Sequence, residues 1–306
     1  MSLSAAQHGG CPTWRQSKME LARTMRDEEK LYRHAGVLYP SVLCPAENLE
    51  ALKATEARSE DILLMSFPKC GFNWMVAVLR KIMKSVSGKA FPPDTPPQME
   101  FSSPDMQRML AQEPSPRLIG THLHPDKIPQ SFKEKKTKTL ILIRNPKDTA
   151  VSFYHFMENN PALPKTESWD KFFSDFVTGE VPFGSYFDHA TACEKIIHEP
   201  NTMVITYEEL KEDLTGSIRQ ISQFSGLPLT EDEVQTIAAE STFRAMLTVS
   251  KDTHSSFGSV LFRKGEVGDW KNLFTKAQSR QMDEEFTRRL GGTRLGAKLK
   301  YDVYCR

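Results

Sequence analysis

The chain has 306 residues, 39% hydrophobic and 26% charged, with a formal net charge of +1. This fits a globular chain of one large domain or two ordinary ones and excludes a disordered one. A general nucleic-acid binder is excluded as well, since such proteins carry a strongly basic face, so any positive charge that matters is local.

Residues 1–33 mix charge throughout and hold no apolar core of signal-peptide length. They are expected to belong to a partly flexible extension, 1–35, ahead of one domain over 36–306. Apolar runs such as Leu140-Ile141-Leu142-Ile143 are far shorter than the roughly 20 residues that cross a bilayer. The five cysteines (Cys11, Cys44, Cys70, Cys193, Cys305) are scattered and form no Cys-x-x-Cys pair. Neither a disulfide framework nor a zinc site is indicated, and the cytosol is the expected location.

The first predicted element is a buried strand, Ile62-Leu63-Leu64-Met65, followed by the turn Pro68-Lys69-Cys70-Gly71. Met75, Val78, Leu79 and Ile82 then recur at helical spacing. A strand, a tight turn and a helix start form a ready anion site. The first helical amides lack intrahelical acceptors, glycine lets the backbone approach, and lysine adds a full charge. The string is not the common phosphate loop, and no Gly-x-Gly-x-x-Gly occurs. Read alone, it is equally an ordinary loop with a solvated lysine.

Seven prolines between 89 and 116 deny a long helix there and mark an irregular crossing segment. Arg117 to Leu123 reads as a strand ending at His122, and Thr139 to Ile143 as a strand ending at Arg144. Asn145-Pro146 then looks like a helix cap followed by proline at the first helical position. Met203-Val204-Ile205 is another strand, running into Tyr207 and a helix. Continuous apolar strands separated by helices imply an α/β fold with a central parallel sheet covered on both faces. Ligands sit at the carboxyl ends of such strands, and Lys69, His122, Arg144 and Tyr207 all fall there. Each has a bland alternative: a strand-end histidine, a turn-capping arginine, a solvated Ser152, a half-buried tyrosine. Further on, Arg263-Lys264-Gly265 suits a loop around a dianionic phosphate, or a basic surface turn. The polar, weakly periodic stretch 244–260 before it suits a mobile loop or lid.

Taken together, the ordered set resembles the cytosolic sulfotransferase family, closest to its 6B branch. It comprises Lys69-Cys70-Gly71 with Trp74, Thr121-His122, Arg144 to Asp148 with Ser152, Tyr207-Glu208, and Arg263-Lys264-Gly265 with Gly268 to Lys271. The resemblance runs from about Tyr39 to Trp270. It implies a P-loop-like sulfotransferase fold and transfer of the sulfuryl group of 3'-phosphoadenosine 5'-phosphosulfate to a small hydroxyl acceptor. By position, Lys69, Cys70, Gly71, Phe72, Asn73 and Trp74 hold the 5'-phosphosulfate. Arg144, Ser152, Arg263, Lys264 and Gly265 hold the 3'-phosphate. Trp74 and Phe243 sandwich the adenine, with Tyr207, Ser241 and Thr242 beside it. His122 is the general base and Lys69 stabilises the leaving group, with no metal. The acceptor pocket is expected to draw on Tyr39, His124, Phe156, Leu261 and Phe262. Phenols are the default acceptors, thyroxine-like phenols among them, and the sequence does not decide between phenol, steroid, alkyl alcohol and amine.

Departures from the family pattern stand out. Cys70 and Phe72 replace a serine and a threonine, and Gly120 stands where many members carry a lysine. Lys276 and Arg280 alter the usual dimer motif, which favours a monomer or a weak homodimer. Two rivals remain: a nucleotide-binding homologue with weak or no turnover, and a nucleotide or nucleoside kinase.

Overall fold

The computed structural model describes residues 13–89, 91, 98–254 and 263–306, with 249–254 as backbone alone. Its elements begin with α1 (Trp14–Thr24), β1 (Leu31–His34), β2 (Val37–Pro40), α2 (Ala46–Leu52), β3 (Ile62–Ser66) and α3 (Phe72–Ser87). There follow α4 (Pro104–Gln112), β4 (Leu118–Thr121), α5 (Gln130–Glu134), β5 (Lys138–Ile143), α6 (Pro146–Asn159), α7 (Trp169–Thr178) and α8 (Tyr186–Glu194). Then come β6 (Thr202–Thr206), α9 (Tyr207–Glu212), α10 (Leu214–Ser225), α11 (Glu231–Glu240) and α12 (Phe243–His254), and the chain closes on a helix at Lys276–Leu290 and two short ones.

The main sheet has four strands in the order β4-β3-β5-β6, and all of its pairings are parallel. Alternation along each strand divides the core. Ile62, Leu64, Leu140, Leu142 and Ile205 pack under α3, α10 and α11, while Leu63, Met65, Ile141 and Ile143 meet α6, α7 and α8 on the other face. The expected α/β fold with helices on both faces is the observed one.

Three local features go beyond the sequence reading. The boundary drawn between 35 and 36 falls in the turn of an antiparallel hairpin, β1–β2, with Leu31 opposite Pro40. Ahead of it, α1 opens on a Thr13 capping box and buries Met19 and Ala22 against Val42, Leu43 and Ala162. Of residues 244–260, expected as a mobile loop or lid, 244–254 are helical, and 255–260 lie outside the described residues. Thr242 caps α12, its Oγ1 accepting from the amide of Ala245, and Phe243 and Met246, three apart, line one cavity. The proline-rich segment contains the nine-residue α4, because Ser103 caps it and Pro104 occupies its first position. Among the described residues no helix is long and apolar enough to cross a membrane.

Candidate active site

The turn after β3 is built by two left-handed residues, Lys69 at φ 70° and Gly71 at φ 104°. A Cβ on Gly71 would lie 2.8 Å from Tyr207 Cδ2, so only glycine fits where the turn meets the end of β6. Gly71 is the N-cap of α3 and offers no side chain to its first amides. Lys69 Nζ lies 3.9 Å above the Phe156 ring. Burial pulls its pKa down to about 7, with like charge from Arg144 and Arg263 adding to the shift.

His122 follows the last residue of β4 and is enclosed by aromatic rings. The centroids of Phe72, Phe183 and Phe101 lie 4.6, 5.5 and 6.4 Å from its own. Phe183 reaches in from a turn held at φ 70°, a strained backbone for a bulky side chain. Nδ1 of His122 lies 2.7 Å from the carbonyl oxygen of Ser66. A carbonyl only accepts, so Nδ1 carries the proton and Nε2 keeps its lone pair. Burial pushes the imidazole pKa down to about 4, and the charge of Lys69 acts in the same direction against the Ser66 bond. Beneath it, Glu100 is fully buried and accepts from the His122 amide (2.8 Å) and Thr121 Oγ1 (3.0 Å). Burial raises the Glu100 carboxyl to about 7 despite those bonds.

The remaining strand ends complete a cationic wall. Arg144 stacks 4.1 Å over the Tyr207 ring and donates to the Glu266 carbonyl at 2.7 Å. Asp148 accepts from the amides of Gly268 (2.7 Å) and Trp270 (3.0 Å), which fixes the loop carrying Arg263 and Lys264. Both cations pair with Asp269. Burial would raise that carboxyl, but the bonds from Lys264 and Arg263 outweigh it and hold it below the usual range. Lys147 is wholly buried and bonds Ser279 Oγ and the Cys305 carbonyl, each at 2.7 Å, so it serves the fold. Trp74 donates from Nε1 to the Ser241 carbonyl at 2.6 Å. A Cβ on Gly265 would lie 2.2 Å from the Phe243 ring. Arg144 Nε and Ser241 Oγ are buried without a hydrogen-bond partner.

One cavity gathers most of the residues singled out in the sequence: Lys69, Gly71, Phe72, Asn73, Trp74, His122, Arg144, Ser152, Phe156, Tyr207, Phe243, Arg263, Lys264 and Gly265 all line it. Others stand apart from its lining. Cys70 turns into the core with Sγ 3.7 Å from Thr149 Oγ1. Tyr39 is buried edge-on to Phe183, and His124 caps the following turn and faces His189. Ser241 meets Trp74 through its carbonyl, and Thr242 is a helix cap. Leu261 and Phe262 lie outside the described residues. Sequence reasoning missed Gln98, Phe101, Phe183, Trp14 and Arg15, which line the same cavity. The Val181-Pro182-Phe183-Gly184 turn was the one available signal, an aromatic between proline and glycine.

Comparison with known proteins gives a consistent match. The model of the sulfotransferase domain family matches residues 59–294. Sulfotransferase 6B1 of Danio rerio is 57% identical over 290 residues, covering 94% of this chain and 98% of that protein. Sulfotransferase 6B1 of Homo sapiens is 47% identical over 274 residues, 90% of each chain. Among solved structures, mouse sulfotransferase SULT7A1 complexed with PAP superposes with a TM-score of 0.81 at 33% identity, covering 90% of this chain and 99% of that one.

Proposed function

The chain belongs to the sulfotransferase family, in its 6B branch, and from that membership we propose that it sulfates a small, largely apolar hydroxyl compound, a phenol above all. The donor in this reading is 3'-phosphoadenosine 5'-phosphosulfate, which when bound supplies a sulfuryl group on a phosphate that leaves readily. Support for the donor comes from the relative complexed with PAP and from the fit of this chain's own residues. Glycine at 71 and 265 lets the backbone lie close to Tyr207 and Phe243, where a Cβ would collide, and both glycines line the cavity. The unpartnered Arg144 Nε, on a side chain that lines the cavity, is a polar atom suited to a nucleotide. Lys69 and the α3 amides would hold the 5' end; Arg144, Ser152, Arg263 and Lys264 the 3'-phosphate; Trp74 and Phe243 the adenine.

The observation that carries the acid–base assignment is the Nδ1–H bond from His122 to the Ser66 carbonyl. It leaves Nε2 as a neutral base on a residue 8% exposed, whose ring sits among Phe72, Phe101 and Phe183. A hydroxyl is a poor nucleophile until its proton is removed, and Nε2 takes it. Lys69 stabilises the charge that builds on the leaving oxygen. The aromatic wall suits a flat acceptor, so phenols lead, with thyroxine-like phenols as candidates. Family membership supports action in the cytosol, and Lys276 with Arg280 goes with a monomer or weak homodimer.

The test is transfer of labelled sulfate to a panel of phenols, iodothyronines, steroids and alkyl alcohols. Loss of transfer in both His122→Ala and Lys69→Ala, with 3',5'-ADP binding kept in His122→Ala, is the expected result. Tight binding of 3',5'-ADP without any transfer by the wild type would mark a silent homologue instead. The kinase alternative is set aside by the sulfotransferase match over residues 59–294.

A further inference from the structure

β4 is an edge strand, and on its outer side Gln98 forms a parallel bridge with Gly120. The bridge anchors the backbone of Gln98 two residues before the base. From there its side chain, 7% exposed, reaches across so that Nε2 lies 3.2 Å from Nε2 of His122. The direction of that bond follows from the far side of the ring. His122 Nδ1 must donate to the Ser66 carbonyl, so His122 Nε2 accepts, and the Gln98 amide is its donor. The atom that would take the acceptor's proton is therefore engaged by an amide N–H in the ligand-free protein. Position 120 contributes no side chain to this space, because it is glycine.

We propose that Gln98 is the acceptor-side donor of this enzyme: its amide holds the His122 lone pair until a hydroxyl takes that place, then turns its N–H onto the hydroxyl oxygen. This rests on the sulfuryl-transfer reading above. The exchange is local and costs no net hydrogen bond, since the hydroxyl proton replaces the amide proton at Nε2. An amide is uncharged, so it steadies a developing phenolate less than an ammonium does. The acceptor must bring acidity of its own. That selects phenols, whose hydroxyl titrates near 10 as in tyrosine, over alkyl alcohols, and among phenols those whose ring carries electron-withdrawing groups.

Gln98→Met and Gln98→Leu, each checked for unchanged circular dichroism and 3',5'-ADP binding, test this against wild type. The first readout is kcat/KM over phenols of graded acidity. It is expected to fall about 10- to 100-fold for the least acidic phenols and only a few-fold for nitrophenols, a steeper dependence than wild type shows. The second is the 15N shift of His122 Nε2 at neutral pH with 3',5'-ADP bound. It is expected to move toward that of a ring nitrogen accepting no hydrogen bond. An unchanged Nε2 shift, or a loss uniform across the phenols, overturns the proposal. Absence of transfer by the wild type would sink the sulfuryl-transfer reading alone, and the Nε2 shift would still judge the Gln98 contact without turnover.

Discussion

The ring of Phe72 lies 4.6 Å from the imidazole of His122, tilted by 57°, so the first helical residue after the donor turn is also a wall of the acid–base site. A threonine here would bring a hydroxyl; phenylalanine brings an apolar face that keeps water from the ring. Burial leads the causes that pull His122 down to about 4. Phe72→Thr is expected to move the acid limb of kcat/KM upward, from near pH 4 toward 6.5, with the alkaline side unchanged. Rates measured from pH 4.5 to 8 check this, and an unmoved limb refutes it.

Stability against pH carries two opposed signatures. His122 and His189 are depressed, to about 4 and about 3, chiefly by burial. Their unfolded forms bind protons near 6.5 that the folded forms refuse, so stability falls as pH drops from 6.5 toward 4, by about 3 kcal/mol for His122 alone. Glu100 is raised to about 7, so its contribution is full below 4.5 and is lost as pH rises through 7. Glu100→Gln removes only the second effect. Its melting temperature is expected to drop more steeply than wild type's between pH 6.5 and 4.5, as calorimetry in matched buffers would record.

Lys69 has a pKa of about 7 in the free protein, so it is mostly neutral at pH 8. A phosphate dianion beside it restores the proton. Binding of 3',5'-ADP at pH 8 is expected to take up close to one proton, an uptake missing from Lys69→Met. Titration calorimetry in buffers of different ionisation enthalpy measures it.

Gly71→Ala places a Cβ 2.8 Å from Tyr207 at a φ of 104°. Strain of this kind costs about 1–3 kcal/mol and opens the turn. The expected result is at least tenfold weaker 3',5'-ADP binding with a few degrees lost in Tm; wild-type affinity would contradict the cradle assigned to this glycine.

Asp148→Ala strips the acceptor from the amides of Gly268 and Trp270 and from Asn145 Nδ2. Leaving buried donors unmet costs about 2–4 kcal/mol. Tm is expected to fall by several degrees, and affinity for the 3'-phosphate to fall with it because Arg263 and Lys264 ride on that loop. Comparing 3',5'-ADP with 5'-AMP isolates the 3' contribution, and an equal loss for both would place the defect elsewhere.

The strand ends were legible because continuous apolar runs, β3 and β5 above all, break into turn chemistry at Pro68 and Asn145. Side chains at those ends need no further information to be placed on one edge of a parallel sheet. The acceptor side was not legible. Gln98, Phe101 and Phe183 come from irregular segments whose direction is set by distant packing, and no periodicity announces them. Tyr39 and His124 read as pocket residues by position, yet one packs against Phe183 within the core and the other closes a turn. α1 reads as part of an extension because its buried stripe is only Met19 and Ala22, too narrow to stand out among its charges.

The anchoring of Lys147 and Trp270 by residues made more than thirty positions later bears on how the protein is made. Trp270 donates from Nε1 to the Tyr304 carbonyl at 2.8 Å, and Lys147 to the Cys305 carbonyl. A ribosome that has read through codon 270 has polymerised every proposed donor ligand, but it has not yet made the two carbonyls that help hold their scaffold. The nascent polypeptide therefore lacks two holds on its nucleotide cleft until translation passes residue 305, and a message truncated between those points yields a chain with all its proposed binding side chains on a scaffold missing both.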